Sequence, residues 1–178
     1  MTGPEFSRLV KIDTLGEQPR SMAIAAEPGE RAALASRFGL IAIDRLEAEL
    51  AISRTGETVA VDGTLQADVI QACIASGAPV PAALIIPFDI LFRPQPEPGR
   101  AEEEEVELGE NELDVVFYDR AEVDVGEAVA ETLSLGLDPY PRAPDADAVL
   151  REAGVKKEGE EETGPFAALA GLKDKLKP

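Results

Sequence analysis

The segment from Val80 to Phe92 carries an apolar side chain at every second position: Val80, Ala82, Leu84, Ile86, Phe88, Ile90 and Phe92. That two-residue repeat belongs to a strand, and it predicts one long strand with a single buried face. Two stretches before it share the pattern. Leu46, Ala48, Leu50 and Ile52 alternate with Glu47, Glu49 and Ser53; Val59, Val61, Leu65, Ala67 and Val69 alternate with Asp62, Thr64, Gln66 and Asp68. Gly63 interrupts the second run, where it permits a bulge or a close crossing. The turn-prone "ASGAP" at 75–79 separates the second and third runs. Long antiparallel strands joined by short turns are the simplest architecture these runs allow.

Helical spacing appears on either side. In "EPGERAALASRFGL", Pro28 suits a first turn, Glu30 favours the positive end of the helix dipole, and Leu34, Phe38 and Ile41 form one stripe that Gly39 helps to end. A second helix is predicted from Asp124. Its carboxylate caps the first turn, Glu127 completes a D-x-x-E box, and Val125, Val129, Leu133 and Leu137 recur every four residues until "DPYPRAP" stops the helix. "FSRLVKI" reads as a short first strand with Phe6, Val10 and Ile12 in alternating positions, and "ELDVVFY" as a strand with Leu113, Val115 and Phe117 on one side. Between the long strands and "ELDVVFY", residues 93–112 combine proline, glycine and the run Glu102–Glu105, which predicts an exposed acidic loop. Residues 151–164 read as a flexible linker and residues 165–178 as a short helix, with Phe166, Leu169, Leu172 and Leu176 on one side and Lys173, Lys175 and Lys177 near its end.

Charge and chemistry narrow the function. The 178 residues include 35 acidic and 17 basic side chains, a net charge of −18, and residues 97–131 alone carry 14 acidic against two basic. Nucleic-acid binders present a basic face that releases counterions from phosphates, whereas this balance points to basic partners. The chain has no histidine, which removes the usual general base near neutral pH and the commonest metal ligand. Cys73 is the single cysteine; with no cation beside it in sequence, it reads as a small buried hydrophobe. The carboxylates Asp62, Asp68, Glu47 and Glu49 are explained by solvent-facing alternation, although Asp62, Asp68 and Glu131 are the residues a histidine-free hydrolase would use. No window approaches the roughly 18 apolar residues of a membrane span, and the N-terminus lacks the build of a signal peptide, so a cytoplasmic protein is expected.

The order of "PEFSR", "VDGTLQADVIQAC", "FDILF" ahead of an acidic loop, "DVGEAVAETLSLGLDPYPRAP" and a terminal "FAALAGLK" resembles the YceD-type large-ribosomal-subunit RNA accumulation proteins along nearly the whole chain. The resemblance implies a bacterial protein, of the alphaproteobacterial branch, needed for 23S ribosomal RNA to accumulate. Many members of that family carry C-x-x-C at the hairpin and further cysteines after the proline-ended helix, a spacing like that of a zinc site. Here Ser76 stands at the second position and "PYPRAPDAD" holds no thiol.

The expectation is therefore an α+β domain over residues 5–150, with a curved antiparallel sheet or partial β-barrel under two main helices and a short C-terminal helix. The expected role is that of a non-enzymatic factor without cofactor or metal. Its acidic face, with Glu102, Glu103, Glu104, Glu105, Glu107 and Glu131, and its terminal Phe166, Leu169 and Lys173 meet a basic ribosomal protein or a precursor large-subunit particle. The alternative is direct contact with 23S ribosomal RNA through Arg8, Lys11, Arg31 and Arg37 or the tail lysines.

Overall fold

The computed structural model describes residues 4–96, 114–119 and 121–155. Its centre is three long strands, β3 (Ala42–Thr55), β4 (Thr58–Ala72) and β5 (Pro79–Pro94), paired antiparallel in sequence order. An edge strand β2 (Arg20–Ala25) lies antiparallel on β3, and β6 (Asp114–Tyr118) lies parallel on β5, giving the order β2-β3-β4-β5-β6. A second small sheet pairs β1 (Leu9–Lys11) with β7 (Glu122–Asp124). The helices are α1 (Pro28–Phe38), α2 (Val125–Gly136) and α3 (Ala146–Glu152).

The alternation in sequence becomes two faces in space. Leu46, Ile52, Val61, Leu65, Val69 and Ile90 are buried on one face with Leu34 of α1 and Val125, Val129 and Leu133 of α2. Each such side chain taken from water contributes on the order of 1.5–3 kcal/mol. This face is what orients both helices. The even positions of β4 and the odd positions of β5 point the other way, to solvent, so the sheet has one covered side. The register shift in β3 falls between Ile43 and Arg45.

Gly63 marks the closest approach of β3 to β4. A Cβ there would lie 2.8 Å from Leu50 Cα and closer still to the Glu49 carbonyl oxygen. Gly126 has the same role in α2, where a Cβ would meet the Phe6 carbonyl oxygen at 2.6 Å, and its absence lets the N-terminal segment lie against the helix.

The expected α+β fold with a sheet under two main helices holds, and among the described residues the five-stranded sheet is open and mixed, with one parallel pair. A parallel pair cannot be joined by a tight turn, and residues 95–113 separate β5 from β6 in the sequence. In β6, Val116 and Tyr118 pack on the core, while Val115 and Phe117 share the other side and are 42% and 56% exposed. The parallel register sets this, because Val116 lies beside the buried Phe92. Ile41 follows α1 and is exposed instead of extending its stripe. β5 runs through Arg93 and Pro94, and a third helix, α3, spans Ala146–Glu152. β2 and α3 were not anticipated at all. The first strand is shorter than expected and gives way to a 3-10 turn at Ile12–Thr14, although Phe6, Val10 and Ile12 are all buried.

Gly63→Ala should lower unfolding free energy by about 1–3 kcal/mol, the usual penalty for forcing atoms into packed space. Urea unfolding checks it, and wild-type stability would contradict the close approach of β3 and β4.

Candidate functional site

Asp124 ties the N-terminal segment to α2. Its carboxylate accepts from the Gly126 and Glu127 amides at 3.1 and 3.2 Å, capping the helix, and from the Arg8 amide at 2.7 Å and the Ser7 hydroxyl. Glu127 does not close a box back onto the cap. It pairs with Arg37 of α1 at 2.7 Å, and Arg37 also reaches Glu5 at 3.0 Å. The capping box is on α1 instead, between Glu27 and Glu30. Arg8 donates two bonds to Glu30, at 2.7 and 2.8 Å, and stacks on the Phe6 ring. This guanidinium holds the Glu30 carboxyl below its ordinary value. Two of the arginines considered for RNA contact are thus engaged within the fold, and a third, Arg31, donates to the Ala26 carbonyl.

The remaining charge gathers on two surfaces. The first is the uncovered sheet face, crossed by Glu47, Glu49, Asp62, Asp68 and Asp89. Arg45 neutralises one end by bonding Asp68 and Glu47, each at 2.9 Å. Asp62 and Asp89 sit directly opposite each other, and no ion pair among the described residues involves them or Glu49. Like charges directly across a ladder destabilise it unless a cation or solvent screens them. The second surface is a cleft of about 200 Å³ between β6 and α2. Asp119, Glu122, Asp124, Glu127 and Glu131 line it together with Phe92, Val116, Phe117 and Tyr118. Neither Glu122 nor Glu131 has an ion-pair partner among the described residues.

The expected site residues divide accordingly. Glu131 is exposed on α2 and belongs to the cleft. Glu102, Glu103, Glu104, Glu105 and Glu107, like Phe166, Leu169 and Lys173, lie outside the described residues. On either side of that run in the sequence, the Gln95 amide donates to the Tyr118 carbonyl and Asp114 pairs beside Ile90. The hydrolase residues do not converge. Asp62 and Asp68 sit six positions apart along β4, roughly 20 Å at strand rise, on the solvent face, while Glu131 is on the helix packed against the other face. The wide groove near Asp62 is floored by backbone and lined by Ser21, Ala23, Glu49 and Thr64, which offers carboxylates and hydroxyls but no base poised by a partner.

Cys73 departs from its expectation in one respect. It is 3% exposed in a small cluster with Ala143 and Ala146, so burial is as expected. Its sulfur, however, accepts the Ala143 amide at 3.3 Å, and that bond, with one from Ser76, lowers the thiol from the ordinary 9.0 to about 7. Sequence neighbours gave no sign of this, because Ala143 is 70 positions away. Among the described residues no group of three or more Cys, Asp or Glu side chains gathers as a metal set.

A family model described as "Large ribosomal RNA subunit accumulation protein YceD" matches residues 61–173, well over half of the chain. The chain belongs to the YceD family. The matched stretch begins within β4 and takes in the cleft, the acidic run and the Cys73 cluster, whereas β1, β2, α1 and the whole of β3 with its following turn precede it. The family's description places this chain in large-subunit ribosomal RNA accumulation. Comparison with curated proteins and with solved structures gave no match. No helix among the described residues of this YceD-family chain is long and apolar enough to cross a membrane.

Thiolate absorbance of the folded chain should titrate with a midpoint near 7 and that of the urea-unfolded chain near 9. Because the folded value is the lower one, the stabilisation is complete above pH 9 and is lost as pH falls through 7. Unfolding free energy of the wild type should rise between those pH values relative to Cys73→Ala, and parallel pH profiles for the two proteins would refute the Ala143 bond.

Proposed function

We propose that this YceD-family chain supports accumulation of 23S ribosomal RNA without catalysing a reaction, by binding a basic ribosomal protein or a precursor large-subunit particle through its acidic surface. One observation carries the reading. Among the described residues Glu122 and Glu131 have no ion-pair partner in a cleft with an aromatic wall, and Glu102–Glu107 lie in the sequence between β5 and β6, which contribute to that cleft. Lysine and arginine side chains suit such a site, since their stems lie on apolar surface while their charged ends meet carboxylates. The long-range field of a −18 chain raises the encounter rate with a cationic partner and weakens with salt.

Direct reading of RNA fits less well. Arg8, Arg31 and Arg37 are held by carboxylates and a backbone carbonyl of the same chain, and a phosphate would have to displace those contacts beside further carboxylates. The open sheet face, which in single-strand binders carries basic and aromatic residues, is here crossed by acidic ones.

At low salt, tagged full-length protein should recover a basic large-subunit protein or a precursor particle. Glu122→Lys with Glu131→Lys should weaken that association about tenfold, as loss of two opposed charges implies. Equal recovery by the charge-reversed protein, or none by the wild type, defeats the proposal.

A further inference from the structure

β5 has two unlike edges. Ile90–Pro94 is paired with β6, while Pro79–Asp89 has no strand beside it on that side among the described residues. Pro79, Pro81 and Pro87 fall in the open part and have no N–H to donate, so this edge is a poor template for an added strand. It does offer side chains. Val80, Ala82, Leu84 and Ile86 continue the inward alternation of Phe88, Ile90 and Phe92, yet they are only half-buried because α2 ends at Gly136. Ile86 packs over Gly136, and the adjacent Leu135 is 82% exposed. The result is an apolar strip along the end of α2 and the open edge of β5, in which Ala82, Leu84 and Ile86 are only partly covered and Leu135 is exposed. Glu131, one helical turn before Leu135, and Asp138 form its acidic rim.

The chain itself supplies matching cover. Ala146 of α3 packs with Val80, and the described chain ends at Val155, nine residues further along, whose amide bonds the Leu150 carbonyl. Nine residues, 156–164, then precede Pro165. Extended, they reach roughly 30 Å, against about 20 Å from Val80 to Ile86. Beyond them come Phe166, Leu169, Leu172 and Leu176 at helical spacing, with Lys173, Lys175 and Lys177 alongside. Apolar stripe meets apolar strip, and lysines meet the acidic rim.

We propose that residues 165–176 dock in cis on this strip, covering Leu84, Ile86 and Leu135 with their apolar stripe and placing their lysines toward Glu131 and Asp138. A helix of about 12 residues is marginal alone and persists only when it docks. The docking shares Glu131 with the acidic cleft, and its exchange readout on the isolated chain does not depend on the partner proposed for that cleft.

Hydrogen exchange of the full-length chain, followed by mass spectrometry, tests it. Wild-type peptides covering 165–176 should be protected, and Leu135→Asp should speed their exchange about tenfold or more while core peptides of β4 stay unchanged, because Leu135 is a surface position. Leu169→Asp with Leu172→Asp should speed exchange around Leu84 and Leu135. Protection should survive tenfold dilution. Exchange of 165–176 at unprotected rates in the wild type, or protection indifferent to Leu135→Asp, overturns the proposal. So does protection lost on dilution, which would place the segment on a second copy.

Discussion

A sheet with one covered face governs everything else in this protein. Leu46, Ile52, Val61, Leu65 and Ile90 can be buried only on the side where α1 and α2 lie, and the same strands must then present Glu49, Asp62 and Asp89 on the other. Strand geometry allows no compromise, since a slip of one residue would exchange the two sets. The acidity of the chain is therefore spatially ordered by the requirement that makes it fold. The covered side leaves a cleft under β6, and the uncovered side leaves a broad anionic plane.

The cations in the N-terminal half reinforce that asymmetry. Arg8 and Arg37 join the N-terminal segment, α1 and α2 through Glu30, Glu5 and Glu127. These pairs are partly solvated, so each contributes only modestly to stability. Their larger consequence is that Arg8 and Arg37 are turned inward to partners, while Glu122 and Glu131 have no ion-pair partner among the described residues. The segment that carries them precedes the stretch matched by the YceD family, so it frames the matched region without belonging to it.

The three long strands, both main helices and the buried set were legible because each rests on a repeat within one segment. What escaped depends on contacts between distant segments. "RSMAIA" has too little alternation to announce β2, which forms because β3 offers it an edge. "DVVFY" is apolar at odd and even positions alike, and only its parallel register beside Phe92 turns Val116 inward and Phe117 outward. Glu127 was read as a local cap because its sequence neighbours allow one, yet Arg37, 90 positions away, takes it. Of the site, Glu131 was legible as an exposed carboxylate; its company with Glu122 and Phe117 required the fold.

The central claim is that this surface recognises cationic protein and not RNA phosphate. Binding of the full-length chain to deproteinised 23S ribosomal RNA, compared with the same RNA carrying its ribosomal proteins, tests it most directly across a salt series. The account predicts no appreciable affinity and no salt slope for bare RNA, with salt-sensitive binding restored by the proteins. Tight association with bare RNA that weakens steeply as salt rises would contradict it.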